Sequence, residues 1–286
     1  MPNLSSTIRL IVLISSLTAL TMIVGQAIAG TDGLIFALIS SIIIQGITYW
    51  NSDKIALSMN SAVEINEEDY PQLFSITRKL INRANLPLPK LYITPEAVPN
   101  AFATGRDAHH ASIAVTKGLL EFLSPEELEG VIAHELGHIK NKDVFISTIA
   151  VVMAGTISSI TQFAYLFGSL NRGRDEDGQN YNPIVMLIMV ILAPLLAFII
   201  QMAISRSREY RADQTAIDMT FNPNGLANAL QKINEISQKQ KPQTLRPAFA
   251  SLYTANPFTG DFLVEMMSTH PSIEKRVERI YSRTTN

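Results

Sequence analysis

The chain reads as a mainly helical α+β protein that crosses a membrane four times and carries a small β-sheet. Three observations predict this: the placement of charge, the capped or amphipathic helical stretches, and short β-rich runs set between turn residues. Charged residues make up 17% of the 286 positions, yet none falls in residues 10–31, 33–52, 144–171 or 178–205. All 23 basic and 25 acidic residues lie elsewhere, at about 26% of those positions, which matches the roughly 25% of an ordinary water-soluble domain. An apolar helix of about 20 residues, rising 1.5 Å per residue, crosses a hydrocarbon core roughly 30 Å thick. Four such blocks exclude a purely soluble chain.

Residues 10–31 and 33–52 are divided only by Asp32 and predict a hairpin of two spans. Ala27-Ile28-Ala29 has the small residues of a signal cleavage site, but the apolar run before it exceeds the roughly 7–15 residues of a secretory signal. A retained hairpin is therefore expected. Beyond it, Leu73, Ile76, Leu80 and Ile81 recur at helical spacing and predict an amphipathic helix within residues 67–84. Residues 91–94, 101–104 and 112–116 are β-rich and bounded by Pro, Asn, Gly and Asp, which predicts a small sheet. Ser124-Pro125-Glu126-Glu127 joins an N-cap, a first-turn proline and a glutamate at the capping-box position, predicting a helix from 125 to about 142 beside that sheet. Residues 144–205 predict a second hairpin, 222–238 and 271–282 two more helices, and 238–247 a polar loop. The expected organisation is an N-terminal hairpin (1–52), one part of a cytoplasmic domain (53–143), the second hairpin (144–205) and the rest of that domain (206–286).

Orientation follows from the flanking charges, because cytoplasmic flanks carry the excess of Lys and Arg. Arg9, Lys54, Lys140, Lys142, Arg206 and Arg208 lie on one side, against Arg172 and Arg174 on the other. Both termini and both polar segments are expected in the cytoplasm. A net charge of −2 without a basic run excludes nucleic acid as a partner. With no cysteine, disulfides, thiolate metal sites and cysteine nucleophiles are excluded, so any metal must use His and carboxylate ligands.

The chemistry concentrates at His134-Glu135-Leu136-Gly137-His138. Histidines four apart project from one helix face and can grip one ion, with Glu135 placed to act on a water as general base. A chain of this composition contains the pattern by accident about 0.005 times. A catalytic zinc wants a third protein ligand and an open position. Glu209 and Asp213, again four apart and just past residue 205, supply a carboxylate pair: Glu209 is read as the third ligand and Asp213 as the acceptor that orients a ligand imidazole. His109-His110 sits in a polar turn and reads as solvated.

These residues resemble the HtpX-type membrane-bound zinc metalloproteases, relatives of the type 1 CAAX prenyl proteases. The similarity spans nearly the whole chain: the paired N-terminal spans, Pro99 to Gly105, the His134 to His138 motif, Glu209 to Asp213, and Thr269-His270-Pro271. The resemblance implies a gluzincin-like site with one Zn2+ on His134, His138 and Glu209, and Glu135 as base. It further implies that Asn100, Ala101 and Phe102 lie by an edge strand that aligns substrate backbone, and that His270 and Arg276 stabilise the oxyanion. Expected substrates are misfolded or damaged membrane proteins, in a quality-control role at the inner membrane. Two rivals stay open: a prenyl-peptide protease, and a membrane scaffold that holds zinc without catalysis. Transport is disfavoured because the four blocks lack ionisable groups, and polar Gln45 and Gln162 read as interhelical hydrogen bonders.

Overall fold

The structure, a computed structural model, describes residues 4–145, 148, 206–239 and 271–282. Its first element is helix α1 (Leu4–Met59). A straight helix would set Thr18 and Gln45 about 40 Å apart, yet the Gln45 amide donates to the Thr18 hydroxyl at 2.8 Å. The chain therefore doubles back between them, at Gly30, whose φ of +59° suits glycine. Within the second arm, Gly30–Ile47 is long and apolar enough to cross a membrane and is only 11% buried. It is the one such stretch among the described residues, and the second expected hairpin lies almost wholly outside them.

Helix α1 does not stop at residue 52, where the sequence places the end of the hairpin. It continues because Ala56 and Leu57 find buried positions: Leu57 packs with Phe102 and Ala114 on one face of the sheet. The apolar stretch Gly30–Ile47 and the part of α1 that packs on the sheet thus lie on one helical arm.

Strands β1 (Val63–Glu64), β2 (Lys90–Thr94), β3 (Ala101–Gly105) and β4 (Ala111–Thr116) form a mixed sheet in the order β1-β2-β4-β3. β2 and β4 are parallel, and β3 runs antiparallel to β4 along one edge. Helix α2 (Pro71–Ala84) and a short α3 (Lys117–Phe122) flank the sheet. The two-residue β1 and α3 carry too little periodicity to be read from sequence. α4 (Pro125–Lys140), α5 (Arg206–Thr220), α6 (Pro223–Lys239) and α7 (Ile273–Ser282) complete the described elements.

Helix α4 is the hub. Leu128, Val131, Ile132 and Leu136 are buried in a core shared with Ile113 of β4, Leu226, Leu230 and Ile233 of α6, and Val277 of α7. Gly130 admits α6 at close range, since a Cβ there would lie 2.6 Å from the Leu226 nitrogen. A residue with a side chain would push the two helices apart.

Candidate active site

α4 starts where its cap dictates. Ser124 Oγ accepts the Glu127 N–H at 3.3 Å, and Glu127 Oε2 accepts the Ser124 N–H at 2.7 Å. This sets the phase of the helix, and His134, Glu135 and His138 follow on its inner turns. Gly137, between the histidines, brings α5 close: a Cβ would sit 3.0 Å from the Ala212 carbonyl oxygen. That approach carries Glu209 and Asp213 to the motif.

Three donors converge. His134 Nε2 lies 3.2 Å from His138 Nε2 and 3.6 Å from Glu209 Oε2, and His138 Nε2 is 3.5 Å from Glu209 Oε1. Donors about 2.0–2.1 Å from one tetrahedral ion stand about 3.3–3.4 Å apart, so this triangle has the dimensions to hold one zinc. It is the one such group of His and carboxylate side chains among the described residues. His109 and His110 are exposed, and Asp107 accepts both their backbone N–H groups.

A second layer fixes the first. His134 Nδ1 lies 2.9 Å from Asp213 Oδ1. Arg276, reaching in from α7, grips Asp213 through Nε at 3.0 Å and Nη2 at 2.7 Å, while its Nη1 is 3.7 Å from Glu209 Oε2. The guanidinium is wholly buried. Burial works to lower the His134 imidazole, but the bonds to Asp213 and Glu209 outweigh it and carry the group up to about 9. Burial pushes His138 down to about 3. Two facing imidazoles this close do not both take a proton. Burial works to raise Asp213, but the Arg276 charge and the His134 bond hold it below the usual carboxylate range.

Glu135 stands apart from this cluster, toward the sheet. Its carboxylate is 5% exposed, accepts the backbone N–H of Ala103, and is pushed by burial up to about 7. Asn100 is buried, with its backbone N–H donated to Thr116 Oγ1 at 2.9 Å, and Ala101 and Phe102 open the edge strand β3. His270 lies outside the described residues. One neighbour of the site was not anticipated: Asp143, buried, with Oδ2 4.0 Å from His138 Nδ1 and its carboxyl pushed up by burial to about 6. Its only signal in the sequence is its place five residues past His138.

The family model for Peptidase family M48 matches residues 67–284. The chain belongs to peptidase family M48. It is a metalloprotease of the HtpX type. It is 47% identical to the protease HtpX homolog of Aquifex aeolicus over 93% of this chain and 89% of that one. The corresponding protein of Desulforapulum autotrophicum is 45% identical over 96% and 88%, and that of Syntrophobacter fumaroxidans 42% identical over 98% and 100%. Among solved structures, Ste24p of S. mikatae shares the fold of this M48 chain. The TM-score is 0.52 at 19% identity, over 96% of this chain and 64% of that one.

Proposed function

We propose that this M48 protein is a membrane-embedded zinc endopeptidase whose site faces the cytoplasm and attacks exposed segments of misfolded or damaged membrane proteins. The observation that carries the reading is the triangle of His134, His138 and Glu209, assembled from two helices to the dimensions of one ion. When bound, zinc supplies Lewis acidity that polarises a carbonyl and makes water more acidic. Glu135, beside the ligands yet outside their triangle, takes the proton of the attacking water and delivers it to the leaving amine as a C–O bond replaces the C–N bond. The Ala103 N–H holds one face of that carboxylate in place. Asp213 orients His134, and Arg276 holds Asp213, so we assign Arg276 to positioning in place of the oxyanion role implied by the resemblance. His270 keeps that oxyanion role as a proposal, and Asn100, Ala101 and Phe102 of the edge strand align the substrate backbone.

Support for the membrane reading comes from the second arm of α1. Ile35, Phe36, Ile39, Ile42, Ile43, Ile44 and Ile47 are exposed along it, which suits lipid. Trp50 is 65% exposed where the apolar stretch ends, the position of an interfacial anchor, and Lys54 follows on the proposed cytoplasmic side. The second hairpin, residues 144–205, joins α4 to α5, so in this reading both ligand-bearing helices emerge close to the bilayer surface. Purified protein in lipid, compared with Glu135→Ala for zinc content and casein cleavage, tests the assignment. Zinc near one per chain in both, with cleavage by the wild type alone, is expected; cleavage that survives the substitution removes Glu135 as base. Zinc in both with no cleavage of casein or membrane substrates moves the scaffold and prenyl-peptide readings ahead.

A further inference from the structure

Beyond the grip of Arg276 on Asp213, helices α5 and α7 meet at a second point. The Arg279 guanidinium carbon lies 4.4 Å from the centre of the Tyr210 ring, well inside the roughly 6 Å reach of a cation–π contact. Tyr210 directly follows Glu209, and Arg279 stands one turn past Arg276. The two contacts share a spacing: Tyr210 and Asp213 are three apart on α5, and Arg276 and Arg279 are three apart on α7. They form two rungs of an antiparallel ladder, about 4.5 Å apart along each helix axis.

The outer rung settles which arginine the inner one receives. Arg276 and Arg279 carry the same charge on the same stem, so Asp213 by itself does not choose between them. A slip of α7 by one turn would bring Arg279 to Asp213 and carry Arg276 to the level of Ala216, which is fully buried and offers no charge. The Tyr210 ring gives Arg279 a seat of its own and leaves Asp213 to Arg276. α7 depends on such fixing, because it has ten residues, and a helix that short is held only by its docked face. The same rung shields the clamp. A crevice opens along the seam of α5 and α7, with half-buried Tyr210 and exposed Arg279 at its rim and the buried Asp213 and Arg276 at its floor. Keeping water from the floor keeps the ion pair there strong.

We propose that Tyr210 is a positioning residue for the metal site: its ring seats Arg279, which holds α7 in the register that delivers Arg276 to Asp213 and, through Asp213, aims His134. This rests on the reading of His134, His138 and Glu209 as a zinc site. An orienting partner behind a ligand imidazole sets the affinity of the site, so the seat of the arginine that holds that partner is felt at the metal. The role belongs to the face of the ring and not to its hydroxyl.

The test uses the full-length protein in lipid and measures zinc affinity by chelator competition. Affinities are read at a temperature where every variant is folded, so a general loss of stability does not move them. Tyr210→Leu, which fills the space without a π face, binds zinc about fivefold more weakly, the change in an equilibrium that a partly exposed cation–π contact supports. Tyr210→Phe, which keeps the face, stays within about twofold of wild type. Arg279→Met cuts the same contact from α7 and matches Tyr210→Leu. The double variant loses no more than either single one, because a single contact is removed. If Tyr210→Leu does not fold, Arg279→Met against Arg279→Lys supplies the comparison, with the lysine keeping the cation and most of the affinity. Wild-type affinity in Tyr210→Leu or in Arg279→Met overturns the inference, as does a Phe variant as weak as Leu or a double variant whose losses multiply. A wild type that holds no zinc overturns the zinc reading, and the inference with it, a distinct result.

Discussion

The two histidines of one motif live in unlike surroundings. The side chain of His134 is 3% exposed and braced from behind by Asp213 at 2.9 Å, with the buried Arg276 gripping Asp213 in turn. The side chain of His138 is 17% exposed, and the carboxylate behind it, Asp143, stands off at 4.0 Å, beyond hydrogen-bond reach. Behind one imidazole stand Asp213 of α5 and Arg276 of α7; the other faces α5 on the ion side, with its Nε2 3.5 Å from Glu209 Oε1. An aligned donor lowers the cost of organising a site before an ion arrives, so His134 is the fixed corner of the triangle and His138 the adjustable one.

The largest expected effect comes from removing the outer brace. Arg276→Met leaves Asp213 buried without its cation, and loss of one partner of a buried pair costs about 3–5 kcal/mol. The melting temperature in detergent should fall markedly and zinc should be lost on purification; an unchanged melting curve would mean that the clamp carries no stability. Next comes Asp213→Asn, which keeps the shape but withdraws the charge that orients His134. Zinc affinity should drop about 10–100-fold, read by chelator competition. Smallest is Asp143→Asn, where no bond to His138 is present to lose: an affinity within about threefold of wild type is expected. A loss equal to that of Asp213→Asn would erase the contrast between the two histidines.

Much of the site was legible because its signals are local. The cap at Ser124 and the i, i+4 spacings of His134 with His138 and of Glu209 with Asp213 act within one or two helical turns. The elements around them were legible for the same reason: residues 125 to about 142 were expected helical and α4 spans Pro125–Lys140, and the runs at 91–94, 101–104 and 112–116 correspond to β2, β3 and β4. Arg276 shows the limit. It is 63 residues from Asp213, and nothing in its own neighbourhood distinguishes a surface arginine from a buried clamp. The extension of α1 past residue 52 was missed because charge marks where a span leaves lipid, which is not where a helix must end.

By itself the sequence determined what each segment can do: charge-free blocks, a capped helix with two facing imidazoles, a carboxylate pair on another helix, and no thiol to offer a competing chemistry. Those are properties of spacing and side-chain type, and they survive in an isolated segment. Only the tertiary structure decided which groups meet. Gly137 lets α5 approach until Glu209 completes the triangle, α7 docks so that Arg276 reaches Asp213, and β3 lies where Ala103 can hold Glu135. Such meetings depend on close packing between elements distant in sequence, where a single added methyl group shifts a helix, and no local pattern encodes that distance.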